Sequence, residues 1–157
     1  MDRITLARAF HVVGVVLWIG GVAFVTTVLL PSVKRMTSLE ERVAFFEAVE
    51  SRFAWQARAT TLLVGVTGFY ITAAWDLWDR FLGIDFWWMH AMVGVWLAFT
   101  LMLFVFEPLF LHRWFHARAK TKPGETFRLI VGLHWFLLII SLITVAGATM
   151  GSHGALF

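Results

Sequence analysis

Four apolar runs, at about residues 4–30, 60–75, 87–111 and 127–150, fill most of a chain of 157 residues. A helix needs about 20 apolar residues to cross about 30 Å of hydrocarbon. Each run reaches that length, the second once it is extended back to Ala54. In hydrocarbon every backbone polar group must be satisfied within the segment, so such runs become helices. The expected fold is an all-α membrane protein, a bundle of four transmembrane helices with both termini on the same side. Hydrophobic residues make up 60% of the chain, against roughly 45–50% in soluble domains. Little is left over for a separate soluble domain, so residues 1–157 read as one transmembrane domain. The first run is far longer than the h-region of a signal peptide and lacks a small-residue cleavage site, so it is expected to stay as a span.

Charge placement sets the expected orientation. Lys34, Arg35, Arg42, Arg52 and Arg58 lie between the first two spans, and Arg113, Arg118, Lys120, Lys122 and Arg128 between the last two. The opposite side has Arg3, Arg8 and Arg80. Ten against three puts both long connections in the cytoplasm and both termini in the periplasm of a bacterial inner membrane. A net charge of +3 gives no sign of nucleic-acid binding. With no cysteine, the chain has neither disulfides nor thiolate metal sites.

The first connection predicts a short amphipathic cytoplasmic helix over about 39–51, lying on the membrane surface and running into the second span. Ser38 and Glu41 have the spacing of a capping box, and Val43, Phe46, Val49 and Phe53 fall on one stripe. The second connection contains Pro123-Gly124, a turn signal. Trp75, Trp78, Trp87 and Trp88 bracket the external loop as an interfacial aromatic belt. The run Ala146-Gly-Ala-Thr-Met-Gly151 permits a close helix approach, either for packing or to admit a flat cofactor.

An ionisable residue inside a membrane is a functional-site candidate. Three histidines fall near the outer end at similar expected depth. His11 lies roughly 12 Å past Arg3 and His90 about 7 Å past Asp85 at 1.5 Å per residue, while His153 closes the fourth span. Facing helices of a bundle commonly hold cofactors at such a level. Gly14 lies one turn from His11 and Gly94 one turn from His90, leaving slots beside both imidazoles. Arg8, one turn toward water, suits a carboxylate such as a haem propionate. His134 is roughly 28 Å from His153 along the last helix, so it suits only a second, inner site. His112 and His116, among Arg113 and Arg118, read as interfacial residues.

The string His11-Val-Val-Gly-Val-Val-Leu-Trp18-Ile-Gly20-Gly21 resembles the first span of the CopD-like membrane proteins, in which His is followed by Trp-x-Gly-Gly. The same opening occurs in the small haem-dependent protoporphyrinogen oxidases of the HemJ family. Trp88-Met89-His90-Ala91-Met92 resembles the latter's third-span Trp-x-His-x-Lys, and Phe127-Arg128-Leu129 the opening of its last helix. The resemblance implies a four-helix scaffold and b-type haem. Met92 replaces the family's Lys, Ile130-Val131-Gly132 replaces Asn-Glu-x-Pro, and His153 is additional, so the likeness does not extend to porphyrinogen oxidation. A looser likeness to four-helix bacterial cytochromes b makes His153 a rival to His90 as partner of His11.

Two readings result. In the first, two of His11, His90 and His153 hold haem iron near the periplasmic face, for electron transfer with quinone or a periplasmic redox partner. An open iron position would instead suit a haem-dependent membrane oxidoreductase. In the second, implied by the CopD resemblance, Met89, His90, Met92, Met150 and His153 handle copper, since thioether and imidazole favour Cu(I). A homo-oligomer is compatible with either.

Overall fold

The computed structural model describes residues 2–36, 39–111, 117–118 and 122–154. Every regular element among them is helical. Helix α1 (Arg3–Phe24) runs through a π turn (Val25–Leu29) into α2 (Leu30–Lys34). Helix α3 spans Leu39–Ala74, and two 3-10 turns (Trp78–Phe81, Ile84–Phe86) precede α4 (Trp87–Leu101). A π stretch (Met102–Leu111) continues α4, and α5 spans Pro123–Ser152. Three helical segments are long and apolar enough to cross a membrane: Arg3–Lys34, Ile84–Leu109 and Gly124–Ser152. Helix α3 is not among them. Arg58 and a series of threonines dilute its apolar stretch.

The wide turns sit where the sequence puts proline. Proline donates no backbone hydrogen bond and crowds the carbonyl four residues back, and widening the helix relieves both. Pro31 lies two residues past the end of the first π turn, and Pro108 lies inside the second. Hydroxyls complete the satisfaction of the backbone. Thr26, Thr60, Thr67, Thr72, Ser141 and Thr144 each donate to the carbonyl four residues earlier. At these positions the hydroxyl is satisfied by its own helix, whereas the buried Thr61 Oγ1 has no partner among the described residues. Helix α3 stops at Asp76, whose φ of 49° places it in the left-handed region. Leu77 N–H then donates to Thr72 O at 2.9 Å, and Asp76 N–H to Ala73 O at 3.3 Å. This is a Schellman closure with Asp where glycine is usual.

One core draws on all four long helices: Trp18, Ile19 and Val22 from α1, Val64 from α3, Phe99 from α4, and Leu137 and Leu138 from α5. Trp18 and Phe99 meet edge to face at 4.8 Å between ring centroids. A second cluster, Val25, Leu29, Leu30 and Val33, is covered by Val49 and Phe53 of α3 and by Phe127, Ile130 and Val131 of α5. The outward faces remain apolar, with Val12, Val16, Val66, Phe136 and Ile143 exposed. That is the inside-out pattern suited to lipid.

The helix expected over 39–51 runs without a break into the second apolar run, as one 36-residue helix. Its Val49 and Phe53 pack on the cluster of Val25, Leu29, Leu30 and Val33. Ser38, His112 and His116 lie outside the described residues, as do the side chains of Glu41, Val43 and Phe46.

Candidate cofactor site

His11 faces α3. Its Nδ1 lies 3.1 Å from Val64 O and 3.1 Å from Thr67 Oγ1. Its ring packs on the α3 backbone at Gly68, where a Cβ would come within 3.1 Å of Cε1. A carbonyl oxygen only accepts, so Nδ1 carries the proton in neutral His11. The lone pair then belongs to Nε2. A metal-binding imidazole is held in the same way, its other ring N–H donating to a carbonyl.

The Trp18–Phe99 contact sets the relative heights of the helices. His11 stands about 10 Å outward of Trp18, and His90 about 13 Å outward of Phe99, at 1.5 Å per residue. The two therefore share a level to within about 3 Å. Leu138 belongs to the same core layer. From it, His153 stands about 22 Å outward and His134 about 6 Å inward. By helix rise alone, His11 and His90 stand at similar heights and His153 stands outward of both.

The other rings differ in their partners. His90 is exposed, with Nε2 3.0 Å from Phe81 O and Nδ1 3.3 Å from Phe86 O. The Phe81 ring meets it edge on at 5.6 Å. Metal binding through Nε2 therefore requires the 3-10 turn at Trp78–Phe81 to release it. His153 caps α5, with Nδ1 2.8 Å from Thr149 O and 3.2 Å from Ser152 Oγ. His134 Nδ1 lies 2.9 Å from Ile130 O.

The two glycine slots do not behave alike. A Cβ on Gly14 would stand 2.8 Å from Val64 Cγ2, so helix packing fills that space. A Cβ on Gly94 would meet nothing within 4 Å. The small-residue end of α5 is also taken: Gly147 seats Trp87, and Gly151 seats Trp88. Arg8 lies over the Trp75 ring at 5.2 Å, at the outer rim.

The Nε2 lone pair of His11 would suit a metal ion, and the open room lies beside Gly94 rather than Gly14. Trp18 Nε1, two turns inward of His11, is a buried N–H with no hydrogen-bond partner among the described residues. A polar edge of a bound group would satisfy it. Among the described residues no group of three or more His, Cys, Asp or Glu converges to hold an ion. Met89 is buried while the adjacent His90 is exposed, so these two donors do not share a face.

Reading the sequence did not single out Arg58 and Glu107. Arg58 Nη2 contacts Glu107 Oε1 at 3.0 Å, and Nε donates to Leu103 O at 3.1 Å. Glu107 is the sole acidic residue of the third apolar run, a signal that it needs a cation nearby. Comparison with protein-family models, curated proteins and solved structures finds no match.

Proposed function

We propose that this chain is a bacterial inner-membrane protein that holds b-type haem through His11 near the periplasmic face. The observation that carries the reading is the His11 imidazole, anchored by Nδ1 on Val64 O and Thr67 Oγ1. Its Nε2 is left as a donor within an apolar bundle. His90, at the same level, is the second ligand, and its release from Phe81 O accompanies binding. Haem held by two imidazoles supplies reversible one-electron exchange. Val64 and Thr67 orient the first ring, the core around Trp18 excludes water from below, and Arg8 is placed for a propionate. Electron partners are a quinone in the bilayer or a periplasmic redox protein.

In this reading α3 is the fourth crossing, so both termini face the periplasm. Trp55 and Trp75 are both exposed on α3. They stand about 30 Å apart at 1.5 Å per residue, which matches the hydrocarbon thickness between two interfacial belts. The ten-to-three distribution of Lys and Arg supports the same orientation.

The visible spectrum of the purified protein tests the function. A Soret band with sharp bands on reduction is expected. His11→Ala should remove or severely deplete the haem while the chain still inserts. A colourless wild-type protein that retains copper would replace this reading with the copper one. Full haem content with an unchanged low-spin spectrum in His11→Ala would move the site elsewhere.

A further inference from the structure

We propose that Thr67 is a positioning residue that acts with the Val64 carbonyl to select the tautomer of His11, making Nε2 the metal-binding atom. The inference rests on the haem reading above and names what prepares its ligand. Thr67 Oγ1 lies 2.6 Å from Leu63 O and 3.3 Å from Val64 O. A hydroxyl has a single proton. The shorter contact takes it, so Thr67 Oγ1 donates to Leu63 O and turns its lone pairs outward. His11 Nδ1 stands 3.1 Å from that oxygen. Val64 O stands at the same distance and can only accept.

Both neighbours of Nδ1 are therefore acceptors, and both demand a proton from it. The opposite tautomer would set the Nδ1 lone pair against the lone pairs of two oxygens. In the low dielectric of a bundle such a mismatch is not relieved by water. The arrangement also follows from helix geometry. Val64 and Thr67 are three residues apart, so one turn of α3 presents its carbonyl and its hydroxyl on one side. A carbonyl has two lone pairs, so Val64 O can serve both its helix and His11. Gly68, one residue on, has no side chain to hold the ring away. Hydrogen bonding at Nδ1 raises the basicity of the liganding nitrogen, and partners of this kind typically change metal affinity by about 10–100-fold.

The test uses the full chain in nanodiscs, labelled with 15N-histidine and free of added metal. Disappearance of a signal in His11→Ala identifies the His11 resonances. The expected wild-type pattern is a protonated Nδ1 and an unprotonated Nε2. Thr67→Val keeps the shape and removes the oxygen. It leaves Val64 O as the one acceptor facing Nδ1, and should raise the share of the Nε2–H tautomer, weaken hemin binding by about 10-fold and raise the reduction potential. Thr67→Ser should restore all three. A proton on Nε2 in the wild type would overturn the proposal. So would a Thr67→Val protein with the wild-type nitrogen pattern and wild-type hemin affinity. A wild type that binds no hemin yet shows the Nδ1–H pattern, lost in Thr67→Val and regained in Thr67→Ser, would overturn the haem reading. Tautomer selection by Thr67 would then stand alone.

Discussion

Arg58 and Glu107 meet across the groove between α3 and the π stretch that follows α4, guanidinium nitrogen to carboxylate oxygen at 3.0 Å. The guanidinium also donates to Leu103 O and lies over the Trp55 ring. The pair is 23% and 32% exposed, between the surface and the fully buried limits. Removing either partner leaves the other charge at the edge of the apolar bundle. Glu107→Gln and Arg58→Gln should each lower the unfolding temperature in detergent. A double-mutant cycle should return about 1 kcal/mol of coupling. Strictly additive losses would mean that the contact contributes nothing of its own.

The second iron ligand is decided by comparing two variants. His90→Ala should give a high-spin or haem-depleted protein, because His90 alone shares the level of His11. His153→Ala should keep the low-spin spectrum, since that ring stands well outward of both. The reverse pattern would make His153 the ligand. Unchanged spectra in both would direct attention inward, to His134.

Topology has its own test. A reporter active only in the cytoplasm, fused after Phe157, should stay silent. The same reporter inserted between the third and fourth spans should be active. Strong activity at the C-terminus would put His11 on the cytoplasmic side.

Glycine substitutions should separate packing from open space. Gly147→Leu would collide with the Trp87 ring, and Gly151→Leu with Trp88. Both should lower thermal stability markedly. Gly132 meets nothing within 4 Å, so Gly132→Ala should be neutral or stabilising, by up to about 1 kcal/mol of helix propensity. Equal losses at all three positions would argue against the Trp87 and Trp88 seats.

The helices were legible from the apolar runs because hydrocarbon permits little else. Their ends were less so. No proline falls between Leu39 and Ala74 and the first glycine there is Gly65, so nothing breaks the backbone where the charged connection meets the second apolar run. Residues 39–74 therefore form one helix. Arg58 was counted with the loop charges, although its partner Glu107 lies some 50 residues away and no local pattern links them. The level shared by His11 and His90 could be read from their distances to the span ends. The partners of their ring nitrogens could not, because Val64, Thr67 and Phe81 are ordinary residues until the chain brings them there. Gly14 looked like a slot by its spacing alone, but Val64 occupies the space.

Pro31, Pro108 and both π segments lie toward the same end of the bundle, the latter at Val25–Leu29 and Met102–Leu111. The opposite end is pinned by indole rings seated on glycine at Gly147 and Gly151. A helix bends most readily where its hydrogen-bond ladder is interrupted. The molecule is therefore mechanically lopsided, a stiff collar around the His11 level standing on two jointed legs. Forces applied at the proline-bearing end would be absorbed at the joints, and the His11 ring would keep its seat on α3.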